Sequence, residues 1–211
     1  MIKKNKIKYD AIVFDLDGTL WNATETSTYS WNEALRSLGI KRIISKQEME
    51  SVTGKPTDES IKILLSFENN NYNNLLATIN KYEKDAIIKT GGILCKDCIE
   101  TIHSLKRTYK LLIVSNCEEW YLQSFFNHSE SKDIFLDYDC HGMSKTNKAV
   151  MLQIFKEKHS LQNPVYVGDT ESDKIAAQEA NYDFIFTSYG FGNVSDDIKR
   201  INSLSDLKKV L

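Results

Sequence analysis

Four apolar residues, Ala11-Ile12-Val13-Phe14, run directly into Asp15-Leu16-Asp17-Gly18-Thr19. A short continuous apolar run reads as a strand buried on both faces, and such strands belong to parallel sheets covered by helices. Two carboxylates therefore leave the end of a strand, where open α/β sheets bind their ligands. In extended chain, residues i and i+2 point the same way, so both acids address one pocket. Gly18 frees the turn and Thr19 offers a hydroxyl. Like charges held this close are costly unless a cation or a shared proton intervenes, and a divalent metal with a phosphorylated substrate meets that cost. An ordinary strand-to-turn junction uses the same residue types, so the rest of the chain must decide.

The remainder alternates. From Trp21 to about Lys89 the pattern is helical, with no convincing strand. An amphipathic segment spans Ser30 to Leu38 and stops at Gly39, and Ser45-Lys46-Gln47-Glu48 matches a capping box. Asp58 to Leu65 forms a third helix, Glu68 to Asn74 a polar loop, and Leu75 to Ile88 a fourth helix. After Gly91-Gly92 strands and helices alternate. Helices are expected at Asp97–Tyr109, Trp120–His128, Lys148–His159 and Ser172–Ala180, with a short one at the C-terminus. Strands are expected at Lys110–Val114, Ile134–Cys140, Val165–Val167 and Phe184–Thr187. Asn181 is a plausible left-handed helix stop. The expected fold is α/β: a Rossmann-like parallel sheet core of residues 1–20 and 90–211, with a small all-α helical cap, 21–89, inserted after strand 1.

Three of the expected strands end in polar residues suited to one chemistry. Strand 1 supplies Asp15 and Asp17. The Leu111–Val114 run supplies Ser115 and Asn116, and the Val165–Val167 run is followed by Gly168-Asp169-Thr170-Glu171-Ser172-Asp173. Parallel strands bring these ends to one sheet edge, where Asp15 and Asp169 can share a metal. Magnesium suits such an oxygen-only set, because it leaves positions open for phosphate and water. Lys148, at a helix start, can supply the cation that touches phosphate. Singly, each element has a plain structural reading as a turn, a cap or a solvated lysine; their order is what singles them out.

With these residues in hand, the chain resembles the haloacid dehalogenase superfamily of phosphohydrolases. Asp15 to Leu20 is similar to its first motif, Ser115-Asn116 to its second, Lys148 to its third, and Gly168 to Asp173 to its fourth. The insert position, and the stretch from Pro164 to Gly192, resemble the branch of phosphoglycolate phosphatase and β-phosphoglucomutase. No proline follows Lys145 or Lys148, where that branch often has one, so Lys145 stays open as the third-motif lysine.

The resemblance implies Mg²⁺-dependent hydrolysis of a small phosphorylated metabolite through an aspartyl-phosphate. Asp15 is then the nucleophile and Asp17 the acid and base. Mg²⁺ is held by Asp15, Asp169 and the Asp17 carbonyl, and Gly18, Thr19, Ser115 and Asn116 hold phosphate. Lys148 neutralises charge, and Asp173 orients Lys148 or metal-bound water. Lys55, in Gly54-Lys55-Pro56, is the cap residue placed nearest an anionic substrate. A phosphomutase and a non-catalytic phospho-ligand binder are the competing readings.

Composition narrows the classes further. A net charge of −2 provides no basic field for nucleic acid and no polybasic stretch for a membrane surface. Lys3-Lys4 and Lys208-Lys209 read as solvated ends. No apolar run approaches the length of a membrane span, and Met1 to Lys6 lacks the apolar stretch of a secretion signal, so a cytoplasmic location is expected. Cys95-Lys96-Asp97-Cys98 has CxxC spacing without a second pair to complete a zinc site, so reduced structural thiols are expected at Cys95, Cys98, Cys117 and Cys140.

Overall fold

A computed structural model describes residues 8–65, 72–194 and 197–211. Met1 to Lys6, with Lys3-Lys4, and the Glu68–Asn71 part of the expected loop lie outside the described residues. β1 (Ala11–Phe14) is followed by β2 (Trp21–Asn22) and four helices, α1 (Thr24–Ser37), α2 (Lys46–Val52), α3 (Thr57–Leu65) and α4 (Tyr72–Thr90). Then come β3 (Ile93–Leu94), α5 (Cys98–Lys106), β4 (Lys110–Ser115), α6 (Glu119–Ser129), β5 (Asp137–Cys140), α7 (His141–Ser144) and α8 (Lys148–Lys158). The chain closes with β6 (Pro164–Gly168), α9 (Glu171–Glu179), β7 (Asp183–Thr187), β8 (Arg200–Ile201) and α10 (Leu207–Val210).

Six strands form one parallel sheet in the order β5-β4-β1-β6-β7-β8. Counted within this sheet alone, that order is 3-2-1-4-5-6, the doubly wound arrangement, whose ligand crevice opens where the order reverses beside β1. The register carries the site: Phe14 lies opposite Ile113 on β4 and Val167 on β6. One residue further, Asp15 N donates to Val167 O at 2.8 Å. The three polar strand ends thus leave the sheet side by side.

The sheet is apolar on both faces, as the unbroken runs require. Ile12, Phe14, Ile113, Val165 and Val167 enter one core cluster, while Ala11, Val13, Leu112, Val114 and Tyr166 enter the other. A third cluster, including Trp31, Leu35, Met49, Val52, Ile61 and Ile79, lies within the α1–α4 layer. The Ser45 capping box opens α2, with Ser45 Oγ accepting from Glu48 N and the Glu48 carboxylate accepting from Ser45 N. Trp21, Ala23 and Ile87 of the same stretch pack into the main core instead.

Several elements differ from expectation. The stretch from Trp21 does contain a strand: β2 pairs antiparallel with β3, Trp21 opposite Leu94. Two residues are too short to show periodicity. α1 starts at Thr24 rather than Ser30, because Asn22 Oδ1 accepts from Thr24 N and Oγ1 at 3.0 and 2.7 Å. Its first turns bury Thr24, Ser27 and Ser30, which hide the apolar stripe. α4 begins at Tyr72, inside the expected loop, and β5 begins at Asp137 after a 3-10 turn at Lys132–Ile134. α7 and β8, four and two residues long, were not expected. Asn181 does adopt the left-handed conformation, with φ of 56°. No described helix is long and apolar enough to cross a membrane.

Candidate active site

Asp15, Asp169 and Asp173 present carboxylate oxygens within 4.8 Å of one another, all buried. Lys148 lies among them, 5% exposed, with its ammonium 2.9 Å from Asp15 Oδ1 and 2.5 Å from Asp173 Oδ1. The local sequence explains its position. Asn147 Oδ1 accepts from Val150 N at 2.9 Å, and this cap starts α8 at Lys148. A cation at a helix N-terminus opposes the helix dipole, so the two acids are what hold it there. Burial alone would pull the Lys148 ammonium down, but the charges of Asp15 and Asp173 outweigh it and raise its pKa.

Asp173 is saturated. Besides Lys148, it accepts from Thr170 Oγ1, Thr170 N and Asp169 N at 2.6, 3.0 and 3.2 Å, closing a capping box at the start of α9. Asp169 Oδ2 accepts from Phe191 N at 2.6 Å. Two oxygens remain: Asp15 Oδ2 and Asp169 Oδ1 are buried without a hydrogen-bond partner. Burial and the charge of Asp173 push Asp15 well above the usual carboxylate range and Asp169 up to about 7. Orphaned buried carboxylate oxygens are expensive. An all-oxygen pair fits a hard divalent cation, which would stabilise both in their charged form.

Backbone must pass close to Asp169 for this to work. Gly18 has φ of +75°, and a Cβ there would stand 2.2 Å from Asp169 Oδ2. A Cβ on Gly190 would stand 2.2 Å from Asp169 Cβ. Both positions need glycine for space, and Gly18 also for conformation.

Asp17 faces another way. Its Oδ1 accepts from Tyr121 Oη at 2.5 Å, and Trp21 Nε1 donates to the same hydroxyl at 3.0 Å. Burial raises Asp17 to about 6 against the pull of that hydrogen bond. Asp17 and Tyr121 line a cavity of about 70 Å³ together with Ser27, Trp31 and Glu83 from α1 and α4. None of Tyr121, Trp31 and Glu83 was foreseen. Each reads as an ordinary helix residue, and only the tertiary fold brings it to Asp17.

The remaining expected residues fall in three groups. Thr19 Oγ1 is buried and unpartnered, and Ser115 Oγ accepts from Cys117 N at 3.3 Å, both at the sheet edge. Asn116 instead spans the two layers, its Nδ2 donating to Gly54 O at 2.9 Å. Lys55 lines the cavity but is exposed and paired with Glu59 at 3.2 Å. Lys145 points to solvent beside Glu118, 3.9 Å away, so of the two lysines the fold brings Lys148 to the acids. The four cysteines are unbridged.

A family model for haloacid dehalogenase-like hydrolases matches residues 12–187, most of the chain. The chain belongs to that family. Among solved structures this hydrolase is similar to a haloacid dehalogenase-like family protein from Streptococcus pneumoniae, at 20% identity and a TM-score of 0.84, covering 97% of this chain and 99% of that one. It is also similar to a predicted phosphoglycolate phosphatase from Haemophilus somnus, at 20% identity and a TM-score of 0.86, covering 98% and 99%. A predicted phosphatase from Clostridium acetobutylicum aligns at 21% identity and a TM-score of 0.80, covering 97% and 99%. At these identities the likeness is one of fold. No curated protein matches the chain.

Proposed function

We propose that this hydrolase is a cytoplasmic phosphatase that cleaves a small phosphorylated metabolite through an aspartyl-phosphate on Asp15. The observation that carries the reading is the pair of orphaned oxygens on Asp15 and Asp169 beside the Lys148 ammonium. Together they form a buried place for a cation and a phosphoryl group at the switch point of the sheet. Family membership and the phosphatase names of structural relatives point the same way.

Asp15 and Asp169 would hold Mg²⁺, with the Asp17 carbonyl added by the family resemblance. When bound, the ion supplies charge neutralisation for the phosphoryl oxygens. A carboxylate oxygen of Asp15 forms a bond to phosphorus while the bond from phosphorus to the ester oxygen breaks. The Asp17 carboxyl, raised toward neutrality by burial, gives its proton to the departing oxygen. It then takes a proton from the water that attacks the same phosphorus and releases Asp15. Lys148 balances the charge on the transferring group, and Asp173 keeps Lys148 in place. Ser115, Thr19 and the turn at Gly18 lie where they can receive phosphate oxygens. The α1–α4 layer covers Asp17 and keeps bulk water from the intermediate.

The test is Asp15→Asn assayed with p-nitrophenyl phosphate and Mg²⁺. The reading expects hydrolysis to vanish while the circular dichroism spectrum is kept. Turnover at the wild-type rate in that variant would refute it.

A further inference from the structure

The cavity beside Asp17 has the wrong sign for an acidic leaving group. Glu83 of α4 is 8% exposed, lines the cavity, and has no ion-pair partner among the described residues. Burial raises its pKa above the usual carboxylate range. Its charged form weighs on both Asp17 and Tyr121, and a cation seated beside it would stabilise that form. Glu118 adds a third acid to the wall, with Lys145 3.9 Å away on the solvent side. Among the described residues the one lining cation is Lys55, exposed and 3.2 Å from Glu59, and Lys148 is committed to Asp15 and Asp173.

The rest of the wall points to the same ligand. Trp31, Trp120 and Tyr121 give the cavity three aromatic surfaces, and aromatic rings bind desolvated cations. Ser27 and Trp31 turn their side-chain donors toward the Glu83 carboxyl, so that acid is held by dipoles and not by a cation. A buried carboxyl with no cation of its own suits a ligand that carries one. Size limits the ligand too. The cavity holds about 70 Å³ and opens to solvent, roughly half of the ~150 Å³ that accepts benzene, so a chain of about two or three carbons fills it while a larger leaving group extends outward.

We propose that the preferred substrate is the phosphate ester of a short amino alcohol, its ammonium seated between Glu83 and the aromatic walls while its ester oxygen faces Asp17. This rests on the phosphatase reading above and names its substrate class. A phosphorylated hydroxy acid such as phosphoglycolate would place a carboxylate against Glu83 and Asp17 with no uncommitted buried cation among the described lining residues to meet it.

The test compares four esters with wild-type enzyme and Mg²⁺: phosphoethanolamine, neutral propyl phosphate, phosphoglycolate and p-nitrophenyl phosphate. The expected kcat/KM for phosphoethanolamine exceeds that for phosphoglycolate by about a hundredfold, with propyl phosphate between them, as a buried charge pair commonly yields. Glu83→Gln should shrink the advantage of phosphoethanolamine over propyl phosphate by about tenfold or more. The ratio within one variant is insensitive to a partly unfolded preparation. Hydrolysis of p-nitrophenyl phosphate with equal or greater preference for phosphoglycolate overturns the inference and leaves the phosphatase reading standing. An unchanged ratio in Glu83→Gln does the same. Failure to hydrolyse any ester overturns the phosphatase reading itself.

Discussion

Two acidic regions lie within a few residues of each other in this hydrolase and are built on opposite principles. At the sheet rim, Asp15, Asp169 and Asp173 share Lys148 and a set of backbone and hydroxyl donors, and only two oxygens are left over. In the cavity beyond Asp17, the two buried acids Asp17 and Glu83 are held by neutral donors, Tyr121 on Asp17 and Ser27 and Trp31 on Glu83. The rim is set by strand ends and helix caps of the sheet layer and, on the proposed phosphatase reading, would hold the phosphoryl group. The cavity is completed by side chains of α1 and α4 and, on the same reading, would choose the leaving group. Preorganised charge belongs where the chemistry is constant.

Breaking the rim should have the largest effect. Lys148→Met removes the cation and leaves two buried carboxylates facing each other. The cost should be about 3–5 kcal/mol of stability by urea denaturation, and kcat should fall about a hundredfold to a thousandfold. Next is Gly18→Ala, whose Cβ would collide with Asp169 Oδ2 at a positive φ. A loss of about 2–3 kcal/mol is expected from strain and crowding, with metal-dependent activity falling alongside it.

Smaller effects probe the cavity side. Tyr121→Phe removes the donor to Asp17 Oδ1 and the acceptor of Trp21 Nε1. Thermal unfolding should show a loss of about 1–3 kcal/mol, and kcat should fall about tenfold through a misplaced acid. Asn116→Ala breaks one hydrogen bond to the Gly54 carbonyl and so tests whether the two layers are held by it. The expected loss is about 0.5–1.5 kcal/mol, with KM affected more than kcat. If Asn116→Ala cost more than Lys148→Met, the division between a fixed rim and an adaptable cavity would be wrong.

The rim was legible in the sequence because each of its members sits at a strand end or helix start that local pattern reveals. An unbroken apolar run marks β1, β4 and β6, and the residue after each run must fall at one sheet edge. Lys148 was readable only as a lysine at a helix start, with Lys145 open beside it, because the Asn147 cap and the contact with Asp173 that single it out emerge from the fold. The cavity was not legible. Tyr121 lies on a helix 104 positions from Asp17 in sequence, and Glu83 looks like any surface acid of a long amphipathic helix. β2, β3 and β8 escaped for a simpler reason, since two residues have no period to read. The early start of α1 was hidden by small polar residues that the fold buries toward the cavity.

The decisive question is which atom accepts the phosphoryl group. Enzyme quenched in acid during turnover of p-nitrophenyl phosphate with Mg²⁺, then digested and mapped by mass spectrometry, answers this directly. The predicted result is one phosphoryl group on the peptide that carries Asp15, absent from the Asp15→Asn variant. A phosphoryl group on any other residue, or steady turnover with none on the protein, would contradict it.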